Sequence, residues 1–214
     1  METFGKLVGN IKRTRKMTES NGQPYHHGDL RRALIEAALG MVQEDKSWQF
    51  TLREVARRAG VSHTAPYRHF PDKAALLAEL ARVGFEKMGE QLAAAIEGNL
   101  SIKEQLIAAA KAYIEFGTAN PALYTLMFSA DAGEKEEVHL HERAMATLNV
   151  LITLLKRGQE QGAFKVRPIQ GHAAACWSQV HGLTMLAING LLLPEKVGEN
   201  PVESALATLL EGLV

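Results

Sequence analysis

The sequence predicts an all-α protein: an N-terminal three-helix bundle that carries a helix-turn-helix, followed by a larger helical domain. Three observations predict it. The run over 51–73, T-L-R-E-V-A-R-R-A-G-V-S-H-T-A-P-Y-R-H-F-P-D-K, reads as two short helices joined at a glycine. From residue 72 onward, apolar residues recur at three- and four-residue spacing, which is the period of a helix and not of a strand. Charge is also divided along the chain. Residues 1–75 hold 13 Lys/Arg against 8 Asp/Glu, and residues 76–214 hold 11 against 16, although the whole chain sums to zero. A basic head on an acidic body suits a part that meets nucleic acid and a part that does not.

Residues 1–24 are polar and carry the cluster Lys12-Arg13-Thr14-Arg15-Lys16. They are expected to form a flexible basic arm, either a plain tail or a segment that reaches phosphates or the minor groove. The DNA-binding head is expected over 25–72. Asp29 can cap its first helix, whose buried stripe is Leu30, Leu34, Ala37, Ala38 and Met41. Trp48 and Phe50 are expected to seal the base of the bundle. Thr51 is a good N-cap and Glu54 lies three residues on, which makes a capping box. Leu52, Val55, Ala56 and Ala59 then form an apolar stripe, with Arg53, Arg57 and Arg58 mostly off it. Gly60 supplies the left-handed backbone that ends a helix, and Val61 can plug the corner. Ser62 is expected to cap a second helix over 63–70. On it His63, Thr64, Tyr67, Arg68 and His69 face outward, and Ala65 and Phe70 face inward. Pro66 has no N–H and removes an early helical bond, so a late or distorted start is expected there. Asp72 caps a third helix that Lys73 opens. A cation at a helix N-terminus opposes the macrodipole, and a bound phosphate would offset that cost.

The helical body is expected over 73–214. A long helix runs to about residue 97 through Leu76, Leu77, Leu80, Val83, Phe85, Met88, Leu92 and Ile96. Gly84 and Gly89 weaken it by about 1 kcal/mol each against Ala, and close packing is the ordinary reason to keep them. Ser101 caps the next helix, to about residue 119. Asn120-Pro121 reads as an N-cap followed by Pro at the first helical position. A further helix is expected over 134–161, and a nearly apolar one over 169–192. Residues 194–200 read as a loop before a last helix that begins near Pro201. No uninterrupted apolar run reaches ~18 residues, so no membrane span is expected. The single cysteine, Cys176, excludes an intramolecular disulfide and agrees with a reducing cytoplasm. The N-terminus lacks the apolar core of a signal peptide.

The run F-T-L-R-E-V-A-R-R-A-G-V-S-H-T-A-P-Y-R-H-F-P-D-K-A-A-L-L, residues 50–77, resembles the TetR family of bacterial transcriptional regulators. Upstream, Y-H-H-G-D-L-R-R-A-L over 25–34 is similar to the first helix of one subgroup. A-C-W-S-Q-V-H-G-L over 175–183 is similar to that subgroup's C-terminal domain, named for a Trp-His-Gly pattern. The resemblance implies a ligand-responsive repressor that binds a palindromic operator in double-stranded DNA as a dimer. His63, Thr64 and possession of a nearby guanidinium in Arg68 point to base reading. Thr51, Tyr67, His69 and Lys73 match family positions that hold phosphates, and Arg53 and Ser62 complete the expected DNA-binding set. The last two helices are too apolar for one small chain to cover. The resemblance implies that they pair with their twins across a two-fold axis to make a homodimer.

No H-E-x-x-H, C-x-x-C, nucleophile elbow, phosphate loop or dinucleotide fingerprint appears, so no enzyme, metal or cofactor is expected. The body is expected to hold a largely apolar small-molecule effector. Its candidate wall is Tyr113, Phe116, Tyr124, Met127, Phe128, Met145, Trp177, His181 and Met185. The competing reading of such a stripe is ordinary core. Three other functional readings stay open: an activator, a regulator controlled by a protein partner, and a helical enzyme or carrier. Ligand-dependent release from DNA would favour the effector-sensing repressor, and turnover of a bound compound would favour the enzyme.

Overall fold

A computed structural model describes residues 27–134, 138–139 and 141–214. Among the described residues no strand occurs. The head consists of α1 (His27–Asp45), α2 (Leu52–Arg58) and the first turns of α3 (Lys73–Ala95). The body adds α4 (Ile102–Ala119), α5 (Pro121–Met127), α6 (Glu142–Glu160), α7 (Ile169–Ile188), α8 (Pro194–Val197) and α9 (Pro201–Leu213). Two short 3-10 turns, Pro66–Arg68 and Ala130–Ala132, complete the pattern. The basic arm expected over 1–24 lies outside the described residues.

Helix starts follow the capping chemistry. Thr51 Oγ1 accepts from the Glu54 N–H at 3.3 Å, and the Glu54 carboxylate accepts from the Thr51 N–H at 2.7 Å. Ser101 and Glu104 repeat the same box at α4. Asp72 Oδ1 accepts from the Ala75 N–H at 2.8 Å and opens α3. Gly60 ends α2 at φ 69°, where the Val61 N–H reaches back to the Ala56 carbonyl at 3.0 Å. That is the left-handed stop a β-carbon would strain.

Five sequence expectations need correction. α1 is already helical at His27, the first described residue, so Asp29 lies within the helix and not ahead of it. Asn120 stands at the N-cap of α5 with Pro121 at its first position, as expected, but its side chain makes no cap bond, because its amide donates back to the Phe116 carbonyl of α4 at 2.9 Å. The helix expected over 134–161 is interrupted at His141: residues 138–139 are helical, and a separate helix starts at Glu142, where His141 Nδ1 accepts from the Arg143 N–H at 3.3 Å. The loop over 194–200 contains α8. The fifth and largest concerns the second helix of the motif. Residues 63–70 form no α-helix. The Ala65 N–H bonds to the Ser62 carbonyl, Arg68 to Ala65 and His69 to Pro66, all three residues back. Pro66 is the physical reason, since it has no N–H to bond four residues back and sits comfortably at the first position of a tight turn. Ser62 therefore caps nothing, and its hydroxyl lies 3.3 Å from that of Thr64.

α3 is the spine. Its N-terminal turns pack on α1, and further along it packs on α4, α5 and α6. Buried residues run without a break from Leu34 and Phe50 through Leu76 and Leu80 to Leu154 and Leu206. The two glycines of α3 allow close approach: a β-carbon on Gly84 would stand 2.6 Å from Met127 Sδ, and one on Gly89 2.9 Å from Thr147 Oγ1. Phe50 is buried in the head as expected. Trp48 is half-buried and does something further: its indole Nε1 donates to Asp131 Oδ2 at 2.9 Å, which ties the head to the Ala130–Ala132 turn of the body.

A second tie is ionic. Glu79 of α3 is buried, and its carboxylate meets Arg31 of α1 at 3.0 Å, Arg143 of α6 at 3.3 Å and Arg82 at 3.5 Å. Burial works against the charged carboxyl. The hydrogen bond and charge of Arg31, with those of Arg143, outweigh it and hold Glu79 below the usual carboxylate range.

Candidate nucleic-acid interface and apolar cavity

The motif corner presents Thr51, Arg53, Ser62, His63, Thr64, Tyr67 and Arg68 at the surface. Tyr67 is 52% exposed although aromatic, with no core neighbour to cover it. Leu52, Val55, Pro66 and Phe70 anchor the corner from beneath. Three of the expected contacts are placed less freely. Thr51 Oγ1 donates to the Glu54 carboxylate at 2.9 Å, so a phosphate that takes this hydroxyl must displace that contact. Lys73 is half-buried with Nζ 5.5 Å from the centroid of Phe50. It lies near enough to Glu54 to help lower that carboxyl's pKa, after the larger effect of the Thr51 hydrogen bonds. His69 is half-buried, and its Nε2 is buried with no hydrogen-bond partner. Arg58, also of α2, is spent on a bidentate pair with Glu44 of α1.

The body holds a partly open cavity of about 150 Å³. α3 contributes Phe85, Met88 and Leu92 to its wall, and α4 contributes Leu106, Ala109, Ala110 and Tyr113. α6 supplies Ala144, Thr147, Leu148 and Leu151, and α7 supplies Cys176, Trp177 and Val180. Phe128, His139 and Leu209 close it. Among the described residues no Asp, Glu, Lys or Arg lines it. Polar character is confined to a few atoms. Thr147 Oγ1 is committed to the Phe85 carbonyl at 2.8 Å. Burial pushes the Cys176 thiol up to about 11, which keeps it neutral. At one end stands a hydrogen-bonded cluster. Trp177 Nε1 donates to Tyr113 Oη at 3.2 Å, Tyr124 Oη donates to Tyr113 Oη at 3.1 Å, and Tyr124 Oη lies 2.6 Å from His181 Nδ1. Burial raises both tyrosine pKa values and lowers that of His181, so the cluster is uncharged at neutral pH.

Residues 34–80 match the family described as bacterial regulatory proteins of the tetR family, and residues 106–211 match the tetracyclin repressor-like C-terminal domain. A protein of unknown function from Rhodococcus sp. RHA1, whose structure is solved, is 32% identical, with TM-score 0.76 over 89% of this chain and 98% of that one. The chain belongs to the TetR family of transcriptional regulators. The nucleoid occlusion factor SlmA of Marinobacter nauticus is 23% identical over 63% of this chain and 69% of its own length. The regulator FadR of Bacillus subtilis, solved in complex with stearoyl-CoA, shares the fold with TM-score 0.66 at 18% identity, over 86% of this chain and all of that one (100%).

Membership makes this TetR-family protein a DNA-binding transcriptional regulator. Its sequence pointed to nine cavity residues, and the structure brings three of them to the wall: Tyr113, Phe128 and Trp177. Tyr124 and His181 stand behind them and hydrogen-bond to Tyr113. Phe116 and Met127 are buried in the core away from the wall, and Met145 and Met185 are half-buried outside it. The reason is steric. Large side chains fill space, and the hollow forms where Ala109, Ala110 and Ala144 leave it unfilled. Among the described residues no group of three His, Cys, Asp or Glu could hold a metal ion, and no helix is long and apolar enough to cross a membrane.

Proposed function

We propose that this regulator is a cytoplasmic repressor that binds a palindromic operator as a homodimer and releases it when a small, largely apolar effector fills the cavity. One observation carries the reading. α3 begins at Lys73, beside the motif corner, and supplies Phe85, Met88 and Leu92 to the cavity wall. A single rigid element therefore touches both sites, and an effector that prefers one placement of α3 biases the head. The fold neighbour solved with stearoyl-CoA supports a ligand-responsive body of this shape. In this reading residues 25–72 are the head and 73–214 the regulatory domain, with 1–24 as a basic arm.

Dimerisation is supported by what the single chain leaves uncovered. α7 has no charged residue in its 20. Trp177 and Leu186 on α7 are exposed, as are Leu191, Leu193 and Val197 just beyond it. A two-fold partner would cover this face and set two heads in major grooves roughly 34–36 Å apart, or a multiple of that.

In the interface, His63, Thr64 and Arg68 read bases, while Thr51, Arg53, Ser62, Tyr67, His69 and Lys73 hold phosphates and position the head. The test is binding of the purified protein to its own upstream DNA and to a random duplex across a salt series, with a footprint. A palindromic footprint with tighter binding than to random duplex is expected. Lys73→Ala should weaken binding to every sequence and reduce the salt slope by about 1. Thr64→Ala should cost about 1–3 kcal/mol of discrimination at one base position and leave random-duplex binding unchanged. Equal losses for both variants on both duplexes would overturn this division of roles.

A further inference from the structure

We infer that the cavity takes a neutral molecule the size of one aromatic ring that carries a single hydroxyl. This rests on the reading of the cavity as the effector site and names the class of effector. Size is the first argument. An apolar space of this volume, about 150 Å³, holds one benzene-sized molecule. A long acyl chain would extend beyond it.

Charge is the second. Among the described residues no Asp, Glu, Lys or Arg stands on the wall, so an ionised ligand would lose hydration there without a matching partner, and that costs several kcal/mol. The ionisable wall groups are Tyr113, His139 and Cys176, and His181 stands behind Tyr113. The tyrosine and thiol are held neutral by burial.

Shape is the third. Phe85, Tyr113, Phe128, His139 and Trp177 offer rings on several sides. Phe85 meets Phe128 edge-on at 5.6 Å, and Phe128 stacks on His139 at 5.6 Å. Such rings favour an aromatic guest packed edge-to-face or offset.

The fourth argument is the hydrogen-bond account at Tyr113. Tyr113 Oη meets Trp177 Nε1 at 3.2 Å, Tyr124 Oη at 3.1 Å and, at a long 3.4 Å, His181 Nδ1. A phenol oxygen has one proton and two lone pairs. His181 Nδ1 is 2.6 Å from Tyr124 Oη, and that tight contact leaves Tyr113 with two good partners for three positions. A hydroxyl on a cavity ligand, which can donate or accept, takes the third.

The experiment titrates the full chain with four probes by calorimetry: phenol, its near-isostere toluene, benzoate and stearoyl-CoA. Phenol and toluene should bind saturably at one site, with benzoate and stearoyl-CoA at least about tenfold weaker. In Tyr113→Phe the ratio of phenol to toluene affinity should fall about 3–10-fold, with toluene itself unchanged. A second variant, Ala110→Phe, should fill the hollow and abolish both while circular dichroism stays helical. If Ala110→Phe does not fold, Ala110→Val, which fills less of the space, should still weaken both ring compounds. Tighter binding of benzoate or stearoyl-CoA than of phenol would overturn the class and leave the effector site standing. No saturable binding of either ring compound would overturn the class outright. Binding that the filling variants do not touch would place the site elsewhere. Phenol binding that leaves operator affinity unchanged would instead sink the effector reading while the cavity chemistry stands.

Discussion

Glu79→Gln is expected to lower the thermal midpoint by about 4–12 °C at neutral pH. The substitution keeps the side chain's volume and removes its charge from among Arg31, Arg82 and Arg143. Removing one partner of a buried ion pair costs about 3–5 kcal/mol. Here the arginines are partly in water, Arg31 most of all with 44% of its side chain exposed, so they can turn outward. About 2–3 kcal/mol is the better figure, and a domain of this size loses about 2–4 °C per kcal/mol. The pH dependence has a definite sign. The folded-state pKa of Glu79 is below its ordinary 4.5, so its contribution is complete above that value. It is lost as pH falls through the folded pKa. The gap between the native protein and Glu79→Gln, measured at equal protein concentration, should therefore close in acid. A gap that stays the same well below 4.5 would mean that packing, not charge, holds this junction. Because Glu79 joins α1 to α6 through α3, the same variant should also raise hydrogen exchange in α1.

Gly117→Ala is expected to destabilise by about 1–3 kcal/mol, against the gain of about 1 kcal/mol that Ala ordinarily brings to a helix. A β-carbon at Gly117 would lie 2.2 Å from Thr184 Cγ2 and 3.1 Å from Tyr124 Cδ2. Ordinary carbon contacts are about 3.5–4.0 Å, so α4 and α7 must separate. Thr184 cannot swing away cheaply. It is fully buried, and its hydroxyl donates to the Val180 carbonyl at 2.8 Å. Thr184→Ser removes the clashing methyl and keeps that hydroxyl. The pair Gly117→Ala/Thr184→Ser should then recover part of the loss, with a coupling of about 0.5–3 kcal/mol in a double-mutant cycle of denaturant unfolding. Purely additive losses would show that the clash is relieved by another route, such as a shift of Tyr124.

The head was legible wherever neighbours in sequence are neighbours in space. The Thr51–Glu54 box, the left-handed Gly60 and the Asp72 cap are contacts over three residues or fewer, and each is present. The second helix of the motif was not legible at that level. Pro66 permits a late-starting helix or a tight turn, and the buried Pro66 and Phe70 hold the turn from below. The cavity was legible only as a region. Searching for aromatic and Met side chains found Tyr113, Phe128 and Trp177, but it also gathered Phe116, Met127 and Met185 and missed the alanines.

By itself the sequence determined that this protein is helical, that its head carries a DNA-binding motif and that its charge is divided between head and body. Those properties are set by period, caps and composition, which act locally along the chain. Only the tertiary structure decided which helices face one another and what the meeting leaves over. Glu79 and Arg143 meet 64 residues apart, and Trp48 and Asp131 meet 83 apart. The cavity is the space where four helices fail to touch, because small residues happen to face each other across it. No local rule reports such a coincidence, since a hollow belongs to the packing and not to any one element.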